Sequence, residues 1–117
     1  MQLKIKREER KRGILFKKIL YAVETQLIVS EEERSAMKTL ELDKMTFVDN
    51  YVCDGLPQGG RNVGYWADKQ TTFMCENIPE AMRVENEVKD AAKLVKESVT
   101  DFLEQGAHTE SEEIFEL

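Results

Sequence analysis

Residues 77–106 read NIPEAMRVENEVKDAAKLVKESVTDFLEQG, and this segment has the clearest periodicity in the chain. Its apolar side chains recur at spacings of three and four, with charged side chains mainly between them, as in an amphipathic helix. Asn77 can cap such a helix, Pro79 is tolerated in its first turn, and an end is expected near Gly106. The segment predicts a helix of about seven turns with one face against a core.

The segments before this helix have patterns typical of strands. Leu3–Lys6 alternates apolar and basic side chains and predicts a short strand, followed by a charged turn or hairpin tip over Arg7–Gly13. Residues 14–29 fit both a strand and a helix, and the β-branched end of the segment favours a long strand. Residues 45–53 and 71–75 predict two further strands.

A capping box begins a second, shorter helix. Ser30 is followed by three glutamates, and Ser30 and Glu33 can exchange side-chain-to-backbone hydrogen bonds. The order of elements predicts an α+β fold, with an antiparallel sheet of about four strands and the short helix and long C-terminal helix packed on one face. Residues 1–106 are predicted to form a single α+β domain, and residues 107–117 an acidic C-terminal tail.

The charge of the chain is unevenly distributed. The 117 residues carry 17 basic and 23 acidic side chains, a formal charge of −6. The first eighteen residues hold eight basic and two acidic side chains, so the remainder is strongly acidic. The overall balance argues against a dedicated nucleic-acid-binding domain. A basic beginning and an acidic end can attract each other, within one chain or between two.

Few residues suit catalysis or metal binding. His108 is the single histidine and lies in the polar tail, while Cys53 and Cys75 are too far apart for a Cys-x-x-Cys pair. Histidine-dependent nucleophilic catalysis and a zinc site therefore lack the residues they need. No catalytic residue, metal ligand or cofactor is predicted. Enzymatic activity is left open, with a non-enzyme favoured.

Two segments supply candidate contact residues. The loop predicted at residues 54–68 holds four of the six glycines, and Arg61, Tyr65 and Trp66 are its candidates for contact with a ligand or partner. The loop lacks the spacing of nucleotide-binding motifs. In the basic N-terminal segment, the candidates for phosphate contact are Arg7, Arg10, Lys11 and Arg12.

These observations favour a small, non-enzymatic binding or assembly module. A homodimer is the first expectation for its partner, because strand edges and a long helix can both pair with a second copy; another protein is the second. The alternatives are a nucleic-acid-associated accessory protein using the basic segment, and a small-ligand-binding domain using residues 54–68. No apolar run has the length of a membrane span or signal peptide, which predicts no membrane contact and a cytoplasmic location.

Overall fold

The fold is described by a computed structural model that covers residues 1–13 and 18–112, with side chains as far as Gln105. In chain order the elements are β1 (Gln2–Arg12), β2 (Lys18–Ile28), α1 (Glu31–Thr39), a 3-10 helix (Leu42–Lys44), β3 (Thr46–Phe47), β4 (Tyr51–Cys53), β5 (Leu56–Gln58), β6 (Arg61–Asn62), α2 (Val63–Asp68), β7 (Thr71–Cys75) and α3 (Ile78–Glu112). The predicted α+β architecture, with an antiparallel sheet, a short helix and a long C-terminal helix, is confirmed.

The main sheet has three antiparallel strands in the order β1-β2-β7, which places β2 at the centre and β1 at an edge. The remaining strands form two short pairs, β3 with β6 and β4 with β5. Since opposite residues of an antiparallel pair share a face, Val23, Phe73 and Leu27 all point to the side covered by the helices. On the other face, Leu20 and Ala22 of β2 are also completely buried, outside the main core cluster.

β1 is longer than predicted. The expected turn or hairpin tip over Arg7–Gly13 is wrong, because β1 continues to Arg12 and pairs with β2 at all eleven positions. This pairing gives the backbone groups of the charged segment their partners, and long charged side chains are well solvated on an edge strand. β2 confirms the strand interpretation for residues 18–28. Residues 14–17 lie outside the described part of the chain.

Both predicted helix starts are confirmed. The Glu33 N–H donates to Ser30 Oγ at 3.1 Å, and the Ser30 N–H donates to Glu33 Oε1 at 2.9 Å. That second bond is the main reason why the pKa of Glu33 lies below its usual value. At α3, the Glu80 N–H donates to Asn77 Oδ1 at 2.8 Å. α3 runs past the expected end near Gly106 to Glu112, because one glycine weakens a helix without ending it.

The core lies between the sheet and α3. Fully buried valines and alanines recur along the inner face of the helix, at positions Ala81, Val84, Val88, Ala92, Val95 and Val99. Ala36 and Met37 of α1 belong to the same core, as does Trp66 of α2. At about 1.5–3 kcal/mol for each large apolar side chain removed from water, this stripe fixes α3 across the sheet.

Two sequence-based predictions in the middle of the chain are wrong. The single strand expected over residues 45–53 is split into β3 and β4, and Val48 between them has a φ of 52°. The loop expected over residues 54–68 contains β5, which forms a hairpin with β4, as well as β6 and the helix α2. Asn62 Oδ1 accepts from the Tyr65 N–H at 3.1 Å and so caps α2, and this N-cap residue was the local signal for the helix.

Candidate functional site

The structure separates the three candidate contact residues of the glycine-rich segment. Trp66 is completely buried, and its indole stacks on Phe47 with the ring centroids 4.3 Å apart. The Trp66 Nε1–H donates to Thr25 Oγ1 at 3.2 Å. Trp66 is therefore part of the core and presents no surface to a ligand in this structure.

Arg61 is half-buried, and its bonds are made within the fold. Its guanidinium carbon lies 5.7 Å and 5.3 Å from the ring centroids of Tyr51 and Phe73. Nη2–H donates to Tyr51 Oη at 2.9 Å, and Nη1–H donates to the carbonyls of Gly59 and Gly60, each at 3.2 Å. Cation–π contacts of this kind stabilise the protein by about 0.5–2 kcal/mol. The arginine thus covers the aromatic part of the core.

Tyr65 keeps 52% of its surface exposed, so it alone of the three candidates is available to a partner. The segment around it is closely packed. A Cβ on Gly60 would lie 2.8 Å from Asp49 Oδ1, and one on Gly64 would lie 2.8 Å from the carbonyl oxygen of Asp43. These two glycines permit close backbone approach and do not form an open anion cradle.

A cavity of about 380 Å³ lies beside α2. Among its lining residues, Arg34 pairs with Asp68 and donates from Nη2 to the carbonyl oxygen of Ala67 at 3.1 Å. Asp43 also lines the cavity, and its Oδ1 is buried without a partner among the described residues. Lys38 also lines the cavity, whereas the one arginine is held by Asp68.

Three of the four candidate phosphate contacts are held by carboxylates. Arg7 makes a two-pronged bond to Glu85 of α3, with Nε at 2.6 Å and Nη2 at 2.8 Å from the carboxylate oxygens. Arg10 pairs with Glu24 on the neighbouring strand, and its Nη1 lies 3.9 Å from Met74 Sδ. The fourth candidate, Lys11, is exposed. These pairs reduce the positive charge that the segment offers to phosphates.

The third pair links two hairpins. Asp54 Oδ1 lies 2.8 Å from Lys18 Nζ, and its Oδ2 lies 3.3 Å from Arg12 Nη1. The bond from Lys18 is the main reason why the pKa of Asp54 is lowered. Asp54 and Gly55 have φ values of 55° and 75°, as in the two-residue type I′ turn for which Asp-Gly is a strong sequence signal. That signal could have identified this hairpin from the sequence.

The outer edge of β1 is the largest unpartnered backbone surface among the described residues. β1 pairs with β2 on one side, and no described strand pairs with its other side. Its side chains are half-buried at Leu3 and Ile5 and exposed at Lys4 and Lys6. Next to the edge, a cavity of about 320 Å³ is lined by residues from the beginning of β1 and from α3, namely Met1, Gln2, Leu3, Leu27, Ala92, Lys93 and Lys96.

The cysteines have environments that disfavour thiolate chemistry. Burial raises the pKa of the Cys75 thiol to about 12, and the half-buried Cys53 also has a raised pKa, again mainly through burial. Within the part of the chain that the structure describes, no group of three or more His, Cys, Asp or Glu side chains is placed to hold a metal ion.

No described helix is long and apolar enough to cross a membrane. No protein-family model matches the chain, and no curated protein or solved structure matches it. The geometry of the described residues favours the edge of β1 as the candidate site.

Proposed function

We propose that the protein is a non-enzymatic binding module that takes up an extended, acidic protein segment along the outer edge of β1. One observation carries this proposal: β1 is an eleven-residue edge strand whose outer backbone groups have no strand partner among the described residues. Strand addition to such an edge is a recurrent mode of peptide recognition, in which backbone bonds give affinity and side chains give selectivity.

The charge of the edge supports an acidic partner. Of the six basic side chains of β1, the three arginines already pair with carboxylates, so Lys4, Lys6 and Lys11 supply the charge for a partner. Lys93 and Lys96 of α3 line the adjoining cavity and add positive charge beside the strand. An added strand would also meet the half-buried Leu3 and Ile5, so alternating acidic and apolar side chains would fit best. Opposite charges across the edge would both steer the partner and exclude basic segments.

The same charges disfavour pairing of β1 with β1 of a second copy. If two copies of β1 paired about a two-fold axis perpendicular to the sheet, even-numbered residues would lie opposite even-numbered ones, and odd-numbered residues opposite odd-numbered ones. With Arg7 at the axis, Lys4 would lie opposite Arg10 of the other copy. With Lys6 or Glu8 at the axis, that residue would lie opposite its own copy. Each central register opposes at least one pair of like charges, and only the registers at Lys6 and Arg7 also place a lysine opposite Glu8. Pairing of β1 with β1 is thus less favourable than pairing of β1 with an acidic segment.

The two alternative functions have weaker support. Contact with nucleic acid would rely on Arg7, Arg10, Lys11 and Arg12, and the three arginines are already paired with Glu85, Glu24 and Asp54. A small-ligand site in residues 54–68 would have to use Tyr65, because Trp66 is buried. Both alternatives stay predictions.

The proposal is tested with a fluorescent eight-residue peptide of alternating Glu and Val. We expect the peptide to bind, its affinity to fall with added salt, and the amides of β1 to become protected from hydrogen exchange. A peptide of alternating Lys and Val serves as the control and should not bind. Fluorescence anisotropy measures the affinity, and exchange followed by NMR locates the site.

A pair of variants sharpens this test. Lys4→Glu/Lys6→Glu should weaken binding of the Glu–Val peptide by about tenfold or more. The matched variant Lys38→Glu/Lys69→Glu carries the same charge change away from the edge and should bind nearly as the wild type does. Absence of binding, or protection of amides elsewhere than β1, would show that the proposed function is wrong.

A further inference from the structure

We infer that the segment bound at the edge of β1 is residues 113–117 of a second copy of this chain, so that two copies exchange their C-terminal segments. This inference rests on the proposed function, because it names the partner of the same edge. In this arrangement the dimer depends on contact between β1 of one copy and the C-terminal segment of the other.

The sequence that follows α3 has the character that the edge requires. Residues 104–117 contain five glutamates and no lysine or arginine. Residues 113–117 read Glu-Ile-Phe-Glu-Leu and thus combine two acidic with three apolar side chains. Because side chains of an extended segment alternate between two faces, Glu113 and Glu116 lie on opposite sides of it. Laid along β1, the segment can present Glu116 to Lys4 and Lys6, and Phe115 and Leu117 to Leu3 and Ile5. Glu113 then lies on the side of the cavity that Lys93 and Lys96 line.

α3 runs antiparallel to β1, which determines where its C-terminal end lies. Glu85 bonds to Arg7, and eleven residues later Lys96 lines the cavity shared with Met1 and Leu3. At about 1.5 Å per residue this part of the helix advances roughly 16 Å. β1 covers a similar length in the opposite direction over about five residues. Beyond Lys96, each helical residue lies farther from the basic part of β1.

The described end of α3 therefore lies farther from Lys4 of the same molecule than five residues can span. The helix extends sixteen residues past Lys96 to Glu112, a distance of about 24 Å, in the direction away from Lys4. Residues 113–117, fully extended, span at most about 18 Å. With α3 intact, contact between residues 113–117 and Lys4 or Lys6 requires a second copy. Each copy then supplies one edge and one segment, as in a closed two-fold exchange.

A charge-swap experiment tests the exchange. The edge variant is Lys4→Glu/Lys6→Glu, and the tail variant is Glu116→Lys, which changes the glutamate on the face of those two lysines. Sedimentation should give the wild type twice the monomer mass of 13.6 kDa, and each variant alone should dimerise about tenfold or more weakly. An equimolar mixture of the two variants should regain the dimer, because each edge then faces a segment of opposite charge.

The outcomes separate this inference from the proposed function. A wild-type monomer at high micromolar concentration, or a mixture that stays monomeric, overturns the exchange; binding of the Glu–Val peptide in the same samples would leave the proposed function intact. Should the edge variant fail to fold, Glu113→Gln/Glu116→Gln decides the matter, because its changes lie outside the sheet. An undiminished dimer in that variant overturns the exchange.

Discussion

Two threonines at the centre of the core differ in one hydrogen bond. Thr25 and Thr71 lie opposite each other on β2 and β7, and both are almost fully buried. Thr25 Oγ1 accepts from the indole of Trp66, whereas Thr71 Oγ1 has no partner among the described residues. A buried donor that loses its acceptor is costly, while removal of an unpaired hydroxyl relieves a desolvation cost. The same substitution should therefore have opposite consequences at the two positions.

We predict that Thr25→Val lowers the free energy of unfolding by about 1–3 kcal/mol, because the Trp66 Nε1–H is left buried without an acceptor. Thr71→Val is the matched control and should be neutral or slightly stabilising. Urea unfolding followed by Trp66 fluorescence measures both. Equal losses in the two variants would show that the bond to Thr25 contributes nothing to stability.

At the scale of elements, the cap of α1 is held by local bonds. Ser30 and Glu33 satisfy one another's backbone donors, and the α-amino group of Met1 lies 3.2 Å from the Glu33 carboxylate. The cap therefore stabilises α1 and also links that helix to the beginning of β1.

Ser30→Ala should cost about 1 kcal/mol of stability, since the Glu33 N–H loses its acceptor. Ser35→Ala is the control within the same helix, because Ser35 is exposed and alanine is the better helix former. Thermal unfolding followed by circular dichroism compares the two variants. If Ser35→Ala were as unstable as Ser30→Ala, loss of the cap would not be the cause of the instability.

The elements that could be predicted from the sequence are those with local signals. α1 and α3 begin where Ser30 and Asn77 place their side-chain oxygens, and β2 and β7 were found from their patterns. The continuation of β1 through Arg12 depends on pairing with β2, which no property of the charged segment reveals. α2 has a local signal in its N-cap Asn62, but its place in the fold depends on burial of Trp66 and on the fit of its backbone against distant residues. Such long-range causes leave only weak traces in the sequence.

In the candidate site too, local features could be predicted from the sequence and long-range contacts could not. The basic residues were identified from the sequence, but their carboxylate partners Glu85 and Asp54 lie far along the chain. The position of β1 at the edge is a property of strand order, and strand order is set by the pairing of β2 with the distant β7. Composition could therefore indicate a charged contact surface without identifying its geometry.

At the scale of the whole molecule, the bond between Arg7 and Glu85 joins the edge strand to α3. Glu85 is mostly shielded, with 17% of its side chain exposed, while Arg7 keeps 34%. The contact is two-pronged, which favours a measurable contribution, but its partial exposure limits the energy through solvent screening.

A double-mutant cycle of Arg7→Ala and Glu85→Ala should give a coupling energy of about 0.5–1 kcal/mol that falls with added salt. The cycle of Lys44→Ala and Glu41→Ala is the control, because both side chains of that pair are more than 70% exposed. Its coupling should be near zero. Equal coupling in the two cycles would mean that the Arg7 bond does not hold the strand to the helix.

The order of the elements along the chain has a consequence for synthesis on the ribosome. The hairpin of β1 and β2 is complete once Ile28 has been added, but the apolar face of β2 is completely covered only when α2 and then α3 have emerged. At about 5–20 residues per second, the roughly 70 further residues as far as Val99 take about 4–14 s. During that interval the nascent hairpin exposes Val23 and Leu27 beside an open edge. The charges of β1 then protect neighbouring nascent chains from pairing edge to edge.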